Sequence, residues 1–341
     1  MERVVDPLAA GARPRLVSSE AIAFAVMLGV LVIAPVVAYP VFLMKALCFA
    51  LFACAFNLLI GYVGLLSFGH ALFFGWAGYV GAHLAKVGKV SLPFWFGGWK
   101  WFVIPLPPLS PELAILGGAL AAAVLGLIAG AVAIRRQGIY FAMITLALAQ
   151  MMFFFAVQAP FTGGEDGIQA VPRGQLFGLL DLGNQMTIYY FVLAVFVACF
   201  LLIYRIIHSP FGEVLKAIRE NEARAISLGY KTDRYKLVAF VLSATLAGVA
   251  GATKAIVFQL ASLTDVHWTM SGEVVLMTLV GGLGTVFGPV AGAFVVVAME
   301  SYLAQWGQWI TVIQGVIFVA CVLLFRRGIV GEIANALRVR L

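Results

Sequence analysis

Nine stretches of this chain run for 15 to 26 residues without one charged side chain, near residues 21–39, 46–60, 63–85, 113–134, 138–160, 186–204, 237–253, 274–299 and 308–325. Each is about long enough to cross a bilayer as a helix, which takes roughly 20 apolar residues. Composition agrees: 63% of the residues are hydrophobic and 11% are charged, against about 25% charged in a soluble domain. The sequence therefore predicts an all-α polytopic membrane protein of about eight to ten transmembrane helices. Spans on that scale use most of the 341 residues and leave no room for a soluble catalytic domain. Residues 1–20 read as a cytoplasmic N-terminal segment, 21–325 as the membrane domain and 326–341 as a cytoplasmic C-terminal tail.

The charged residues set the orientation. Basic side chains collect at Arg3, Arg13 and Arg15, at Arg135 and Arg136, at Arg205, Lys216, Arg219, Arg224, Lys231, Arg234 and Lys236, and at Arg326, Arg327, Arg338 and Arg340. The positive-inside rule assigns all four groups, and with them both termini, to the cytoplasm. Residues 86–112, 161–185 and 259–272 then lie outside, with Lys86, Lys89, Lys100 and Arg173, while Lys45 and Lys254 fall near outer span ends. The net charge of +7 is accounted for by this asymmetry without nucleic acid. Glu2, Asp6 and about 20 mixed residues precede the first apolar run, and no small-residue cleavage site follows it, which describes an uncleaved span rather than a signal peptide. Cys48, Cys54, Cys199 and Cys321 sit inside apolar runs and read as small buried hydrophobes.

One run resists simple counting. A single crossing by residues 274–299 would put Arg326 and Arg327 on the outer side, yet 26 residues give only about 39 Å of helix, too little for two full crossings. Its centre is Gly281-Gly282-Leu283-Gly284-Thr285-Val286-Phe287-Gly288-Pro289. The pattern predicts two half-length helices meeting at a Gly/Pro break, which is tolerated at membrane depth only inside protein or beside an aqueous cavity. That expectation places the break at a pathway or a subunit interface. Gly284, Gly288 and Gly292 are spaced for close helix approach, within the chain or between subunits. The same spacing at Gly126 and Gly130 shows how common the pattern is.

The segment 205–236 holds 11 charged residues between two spans. Ser209 is a good N-cap, Pro210 suits the first helical position and Gly229 a C-terminal cap, so residues 210–228 are predicted as one helix. Phe211, Leu215, Ile218, Ala225 and Leu228 share one face, and Glu220 and Arg224 are spaced as an i, i+4 pair. An amphipathic helix resting on lipid head groups is the simplest alternative. Glu213, Glu220, Glu222 and Asp233 argue against an anionic surface and favour a protein groove.

From Ser209 to Gly229, Ser-Pro-Phe-Gly-Glu-Val-Leu-Lys-Ala-Ile-Arg-Glu-Asn-Glu-Ala-Arg-Ala-Ile-Ser-Leu-Gly, followed by Tyr235-Lys-Leu-Val-Ala-Phe240, the chain resembles branched-chain amino acid ABC transporter permeases of the LivM type. Three further stretches are similar to the same family: Gly61-Tyr-Val-Gly-Leu-Leu-Ser-Phe-Gly-His-Ala-Leu-Phe-Phe-Gly75, Thr162-Gly-Gly-Glu-Asp-Gly167 and Gly281 to Ala293. The resemblance spans roughly residues 40–325. It implies that residues 210–229 form a cytoplasmic coupling helix seated in a cleft of an ATPase subunit, with Glu220, Glu222, Ala223 and Gly229 as coupling contacts. It also implies a second, LivH-like permease, two cytoplasmic ATPase subunits and an extracytoplasmic solute-binding protein in a bacterial inner membrane. Thr162, Gly163, Gly164, Asp166 and Gly167 would face that binding protein. The Glu-Ala-Ala-x-x-x-Gly signature of importer permeases survives only loosely, as Glu222-Ala223-Arg224 with Gly229 seven positions after Glu222.

Ser67, His70, Gly281, Gly282, Gly284, Gly288 and Pro289 are the candidates for the pathway or its helix breaks. A neutral histidine satisfied by a neighbouring carbonyl is the plain reading of His70, and a gate residue the functional one. No phosphate-binding loop is present, since Gly88-Lys89 is followed by valine. There is no metal-ligand spacing, no grouped nucleophile and base, and no acid at mid-membrane depth to carry an ion-coupled cycle. The chain is thus expected to bind no cofactor, ATP residing on partner subunits. Its expected role is a non-enzymatic permease subunit for branched-chain or other small hydrophobic amino acids. Urea, short amides or aromatic acids are the alternative solutes within the class, and a stand-alone channel or ion-coupled carrier is the alternative outside it.

Overall fold

A computed structural model describes residues 19–86, 89–91, 103–105, 109–176, 178, 180–303, 305, 307, 309–324 and 328–336. The basic groups at Arg3, Arg13 and Arg15, at Arg326 and Arg327 and at Arg338 and Arg340 lie outside the described residues, as do Lys100 and most of the N-terminal segment. Every apolar run carries a helix. In chain order these are α1 (Ser19–Val37), α2 (Pro40–Ile60), α3 (His70–Lys86), α4 (Pro111–Ala133), α5 (Ile139–Gln158) and α6 (Gln185–Ile207). The charged segment forms α7 (Pro210–Glu220) and α8 (Glu222–Ser227), followed by α9 (Thr232–Val257), α10 (Trp268–Gly281), α11 (Gly288–Leu303), α12 (Trp309–Leu324) and α13 (Gly328–Ala336). Among the described residues six helices, α1, α2, α4, α5, α6 and α9, are long and apolar enough to cross a bilayer. The apolar helices α3, α10, α11 and α12 are shorter, at 17, 14, 16 and 16 residues. The chain is an all-α, multi-pass integral membrane protein.

The core is built on α2 and α9. Most of α2 is buried from Leu43 to Leu59, so this apolar run is packed inside protein. On α9, small residues let neighbours approach to backbone contact. A Cβ on Gly251 would fall 1.8 Å from the Phe74 carbonyl oxygen, and one on Gly248 2.4 Å from the Ala122 Cβ. Gly126 and Gly130 serve the same packing, facing Ala244 and Leu237 across the α4–α9 seam. The exposed faces of α1 and α4 carry Val26, Val30, Ile33, Leu116, Leu120 and Ile128, as lipid-facing surfaces do.

Contacts between helix ends establish how the chain threads. Tyr204 near the end of α6 donates to Glu20 at the start of α1 (2.7 Å), while Tyr189 donates to the Leu31 carbonyl farther along α1 (2.5 Å). Gly130, late in α4, meets Leu237, early in α9, and Gly118 meets Ala252 near the other end of α9. The start of α1, the Arg135–Arg136 turn and the α7–α8 segment therefore lie at one end of the bundle. At the opposite end, Lys45 pairs with Glu300 (2.9 Å) and Lys254 with Asp265. Gly328, at the start of α13, packs on Gly282, which returns the chain to the first end.

Two regions differ from the sequence expectation. The run 63–85 does not start as helix: residues 61–69 form an irregular loop, and α3 begins only at His70. The predicted single helix 210–228 is broken at Asn221 (φ −155°, ψ 97°), whose side chain accepts from the Arg224 N–H and caps α8. Capping won over continuation because Asn satisfies an orphan helix donor better than it propagates a helix. Glu220 and Arg224 consequently belong to different helices, and no ion pair joins them among the described residues.

Candidate functional site

The elbow of α7 and α8 projects at one end of the bundle. Ser209 accepts from the Gly212 N–H (3.3 Å) and starts α7 behind Pro210. A Cβ on Gly212 would sit 2.2 Å from the Ile207 carbonyl oxygen, so only glycine lets α7 fold back this tightly against the end of α6. Leu215, Ile218 and Ala225 are buried as the stripe predicted, and Phe211 stacks on Tyr235 with ring centroids 5.7 Å apart. Leu228 is the exception, 70% exposed, and with Ile226 and Tyr230 it leaves an apolar tip on the surface.

The four elbow residues singled out from the sequence divide in two. Glu220, Ala223 and Gly229 are exposed; Gly229 adopts φ +89° with nothing near the position a Cβ would occupy. Glu222 instead turns inward, to Lys236 on α9, whose side chain is 3% exposed. That pair ties the short α8 to a long core helix. On the solvent face Lys216 bonds Glu213 at 2.8 Å and holds its carboxyl below the usual carboxylate range.

Behind the elbow lies the junction of the two breaks. At the end of α2, Asn57 is 3% exposed. Its amide donates to the Thr285 carbonyl (2.9 Å) and its Oδ1 accepts from the Gly284 N–H (3.1 Å). One side chain thus satisfies two backbone groups that the gap between α10 and α11 leaves unpaired. Arg219 of α7 donates through Nη1 to the Gly61 carbonyl.

The half-helices themselves form as predicted, and their glycines pack within the chain. A Cβ on Gly281 would lie 1.9 Å from the Gly288 oxygen, and one on Gly292 1.8 Å from the Met277 oxygen. Gly284 (φ +75°) faces Arg219, Gly282 (φ +126°) abuts Gly328 of α13, and Pro289 is buried in the first turn of α11. The break is therefore enclosed by α2, α7 and α13 of its own chain.

Ser67 and His70 are fully buried. Ser67 accepts from the Gly69 N–H (3.3 Å), and the loop is clamped by Phe68 N–H to Thr145 (3.2 Å) and by Ala71 N–H to Ser271 (2.9 Å). Ser243 donates its one hydroxyl proton to the Ala55 carbonyl, so His70 Nε2, 2.8 Å away, must donate to Ser243. Nδ1 then accepts, and it has no protein partner among the described residues. Phe56, Phe73 and Phe240 present edge-to-face contacts around the ring. The arrangement encloses the imidazole in an aromatic box.

At the opposite end, Thr162 is buried and donates to the Ala156 and Ala159 carbonyls, capping α5. Gly163, Gly164 and Gly167 all have positive φ, and the strand residues after them, Ile168–Gln169, pair antiparallel with Leu260–Ala261. Of this turn, Glu165 and Asp166 are exposed to solvent.

Asn57, Arg219, Lys236 and Ser243 were not singled out from the sequence. A polar residue inside an apolar run marks Asn57 and Ser243 as candidates in retrospect. Arg219 and Lys236 merge with the other charges of their segment, and only the fold shows which two turn inward.

Comparison with known proteins adds the following. Residues 38–325 match a family described as branched-chain amino acid transport system / permease component. The high-affinity branched-chain amino acid transport system permease protein LivM of Escherichia coli K12, and that of Salmonella typhimurium, are each 25% identical over 296 residues, covering 80% of this chain and 65% of the relative. The chain thus spans just under two thirds of the length of those relatives. A probable branched-chain amino acid transport permease protein LivH of Methanocaldococcus jannaschii is 27% identical over 157 residues, 41% of this chain and 46% of the relative. No solved structure matches.

Proposed function

The chain belongs to the branched-chain amino acid transport system permease family, and from that premise we propose that it is the translocating subunit of an ATP-driven importer for branched-chain or other small hydrophobic amino acids. The observation that carries the coupling part is the elbow. Its inner face is packed on α6 and α9, while Glu220, Ala223 and Gly229 stand exposed beside the apolar tip of Ile226, Leu228 and Tyr230. An apolar tip rimmed by charge at one end of a membrane bundle fits a protein groove better than water or an anionic lipid surface. ATPase closure would push the elbow as a rigid body, with Glu222 passing the load to α9 through Lys236. ATP would reside on two partner ATPases, and a second permease and an external solute-binding protein would complete the assembly. The exposed acids Glu165 and Asp166, with the Gly163–Gly167 turn that presents them, would meet the binding protein.

The test is reconstitution into liposomes with and without ATPase, second permease and solute-binding partner subunits. Leucine, isoleucine or valine uptake should require ATP and every partner. Uptake by the chain alone, passively or under an ion gradient, would overturn the assignment, and ATP-driven uptake of urea in place of leucine would reassign the solute.

A further inference from the structure

The elbow reading leaves open how a push on α7 reaches the irregular backbone inside the bundle. One side chain spans the gap. Arg219 lies one residue before the end of α7, on its exposed side, yet its guanidinium reaches the last carbonyl of α2 at Gly61. A cation there is favoured, because the end of a helix presents unpaired carbonyls and a partial negative charge.

The surroundings are shaped for this side chain. Gly64 (φ +81°) and Gly284 (φ +75°) come from two different breaks and both adjoin it. A Cβ on Gly64 would fall 3.2 Å from Arg219 Cγ, and one on Gly284 3.1 Å from Nη1. The arginine stem crosses the first break and its head meets the second. The Gly61 N–H donates to the backbone carbonyl of Asn57 (2.7 Å), whose side chain holds Gly284 and Thr285. Arg219, Gly61, Asn57 and Gly284 are therefore one connected polar network. It continues along the chain from Gly64 into the loop that carries Ser67 and His70.

We propose that Arg219 is the positioning residue that transmits movement of α7 to both breaks at once, the 61–69 loop and the 282–287 turn between the half-helices. The proposal rests on the elbow being the surface an ATPase moves. It differs from simple capping of α2 in what it requires of the side chain. A cap needs only positive charge near Gly61. Transmission needs a rigid planar head fitted between Gly61 and Gly284, which a flexible lysine ammonium does not supply.

Leu283, 39% exposed between Gly282 and Gly284, offers a direct readout. In a chain whose native cysteines are replaced by alanine, Leu283→Cys is labelled with a maleimide in the reconstituted assembly, nucleotide-free and after trapping with ATP and vanadate. We expect a several-fold difference in labelling rate between the two states. Arg219→Ala and Arg219→Lys should each abolish that difference while the ATPase still binds and hydrolyses ATP. Retention of the difference in Arg219→Lys would reduce Arg219 to a charged cap, and its retention in Arg219→Ala would remove it from the path; either result overturns the proposal. Should Arg219→Ala fail to assemble, the lysine variant decides. Loss of ATP-dependent uptake requirements in the unmodified chain would instead overturn the elbow reading beneath it, and is read separately by solute transport.

Discussion

Asn57 is a single carboxamide in the last turn of the most deeply buried helix, and both its ends are bonded to backbone of the 282–287 turn. Truncation leaves a half-buried N–H on Gly284 and a half-buried C=O on Thr285 without partners, each costing up to about 1–3 kcal/mol. Asn57→Ala should therefore lower the thermal unfolding midpoint in detergent markedly more than Asn221→Ala, which removes an exposed cap bond worth about 1 kcal/mol. An equal shift for the two variants would mean that Asn57 does not hold the break. Residue identity was only half legible from the sequence, and the reason is geometric. Ser67 and His70 could be singled out because polar atoms in an apolar run need partners, whereas the partner of His70, Ser243, is 173 positions away in sequence and Thr145, which clamps the same loop at Phe68, is 77 away. Thr162 and Glu222 were legible as members of motifs but not in direction: Thr162 caps α5 from inside, and Glu222 faces Lys236 rather than solvent.

At the scale of elements, the apolar periodicity carried nearly all the information, because a helix is the local solution for a backbone without water. The half-helix pair was legible for the same reason, since a glycine cluster with proline cannot continue a helix and the charge rule demanded a return. What could not be seen was which surfaces the glycines of that cluster serve. Gly292 shows the answer: a Cβ would lie 1.8 Å from the Met277 carbonyl oxygen, a backbone atom that cannot step aside. Gly292→Ala should force α10 and α11 apart, at a cost of about 1–3 kcal/mol or more, with a lower melting midpoint and poor assembly. Gly272, in the same half-helix pair, meets nothing within 4 Å. Gly272→Ala should be neutral or gain up to about 1 kcal/mol from helix propensity. Equal destabilisation by both changes would refute the close approach. The elbow failed differently. Its stripe ran through Asn221 without a phase change, so periodicity predicted one helix where a cap made two; beyond the break Ala225 stays buried while Leu228 turns outward.

For the whole molecule, the decisive property is which ends share a side. The start of α1, the Arg135–Arg136 turn, the elbow and Gly328 all gather at one end, and the basic residues follow. Arg205, Arg224, Lys231 and Arg234 are solvent-exposed there. At the opposite end, among the described residues, Lys45 pairs with Glu300 and Lys254 with Asp265, while Lys86 and Arg173 bond the Gln169 and Val257 carbonyls. An excess of Lys and Arg in short loops is what keeps a loop on the cytoplasmic side, so the elbow end should be cytoplasmic. Ser227→Cys, on α8, and Glu165→Cys, in the turn after α5, report opposite ends. In intact cells a membrane-impermeant thiol reagent should label Glu165→Cys and spare Ser227→Cys until the cytoplasmic side is opened. The reverse pattern would invert the molecule, and with it the direction in which an ATPase could push. Labelling of both positions from outside would break the threading itself, because an even number of crossings between residues 165 and 227 cannot be drawn through the single helix α6 that separates them.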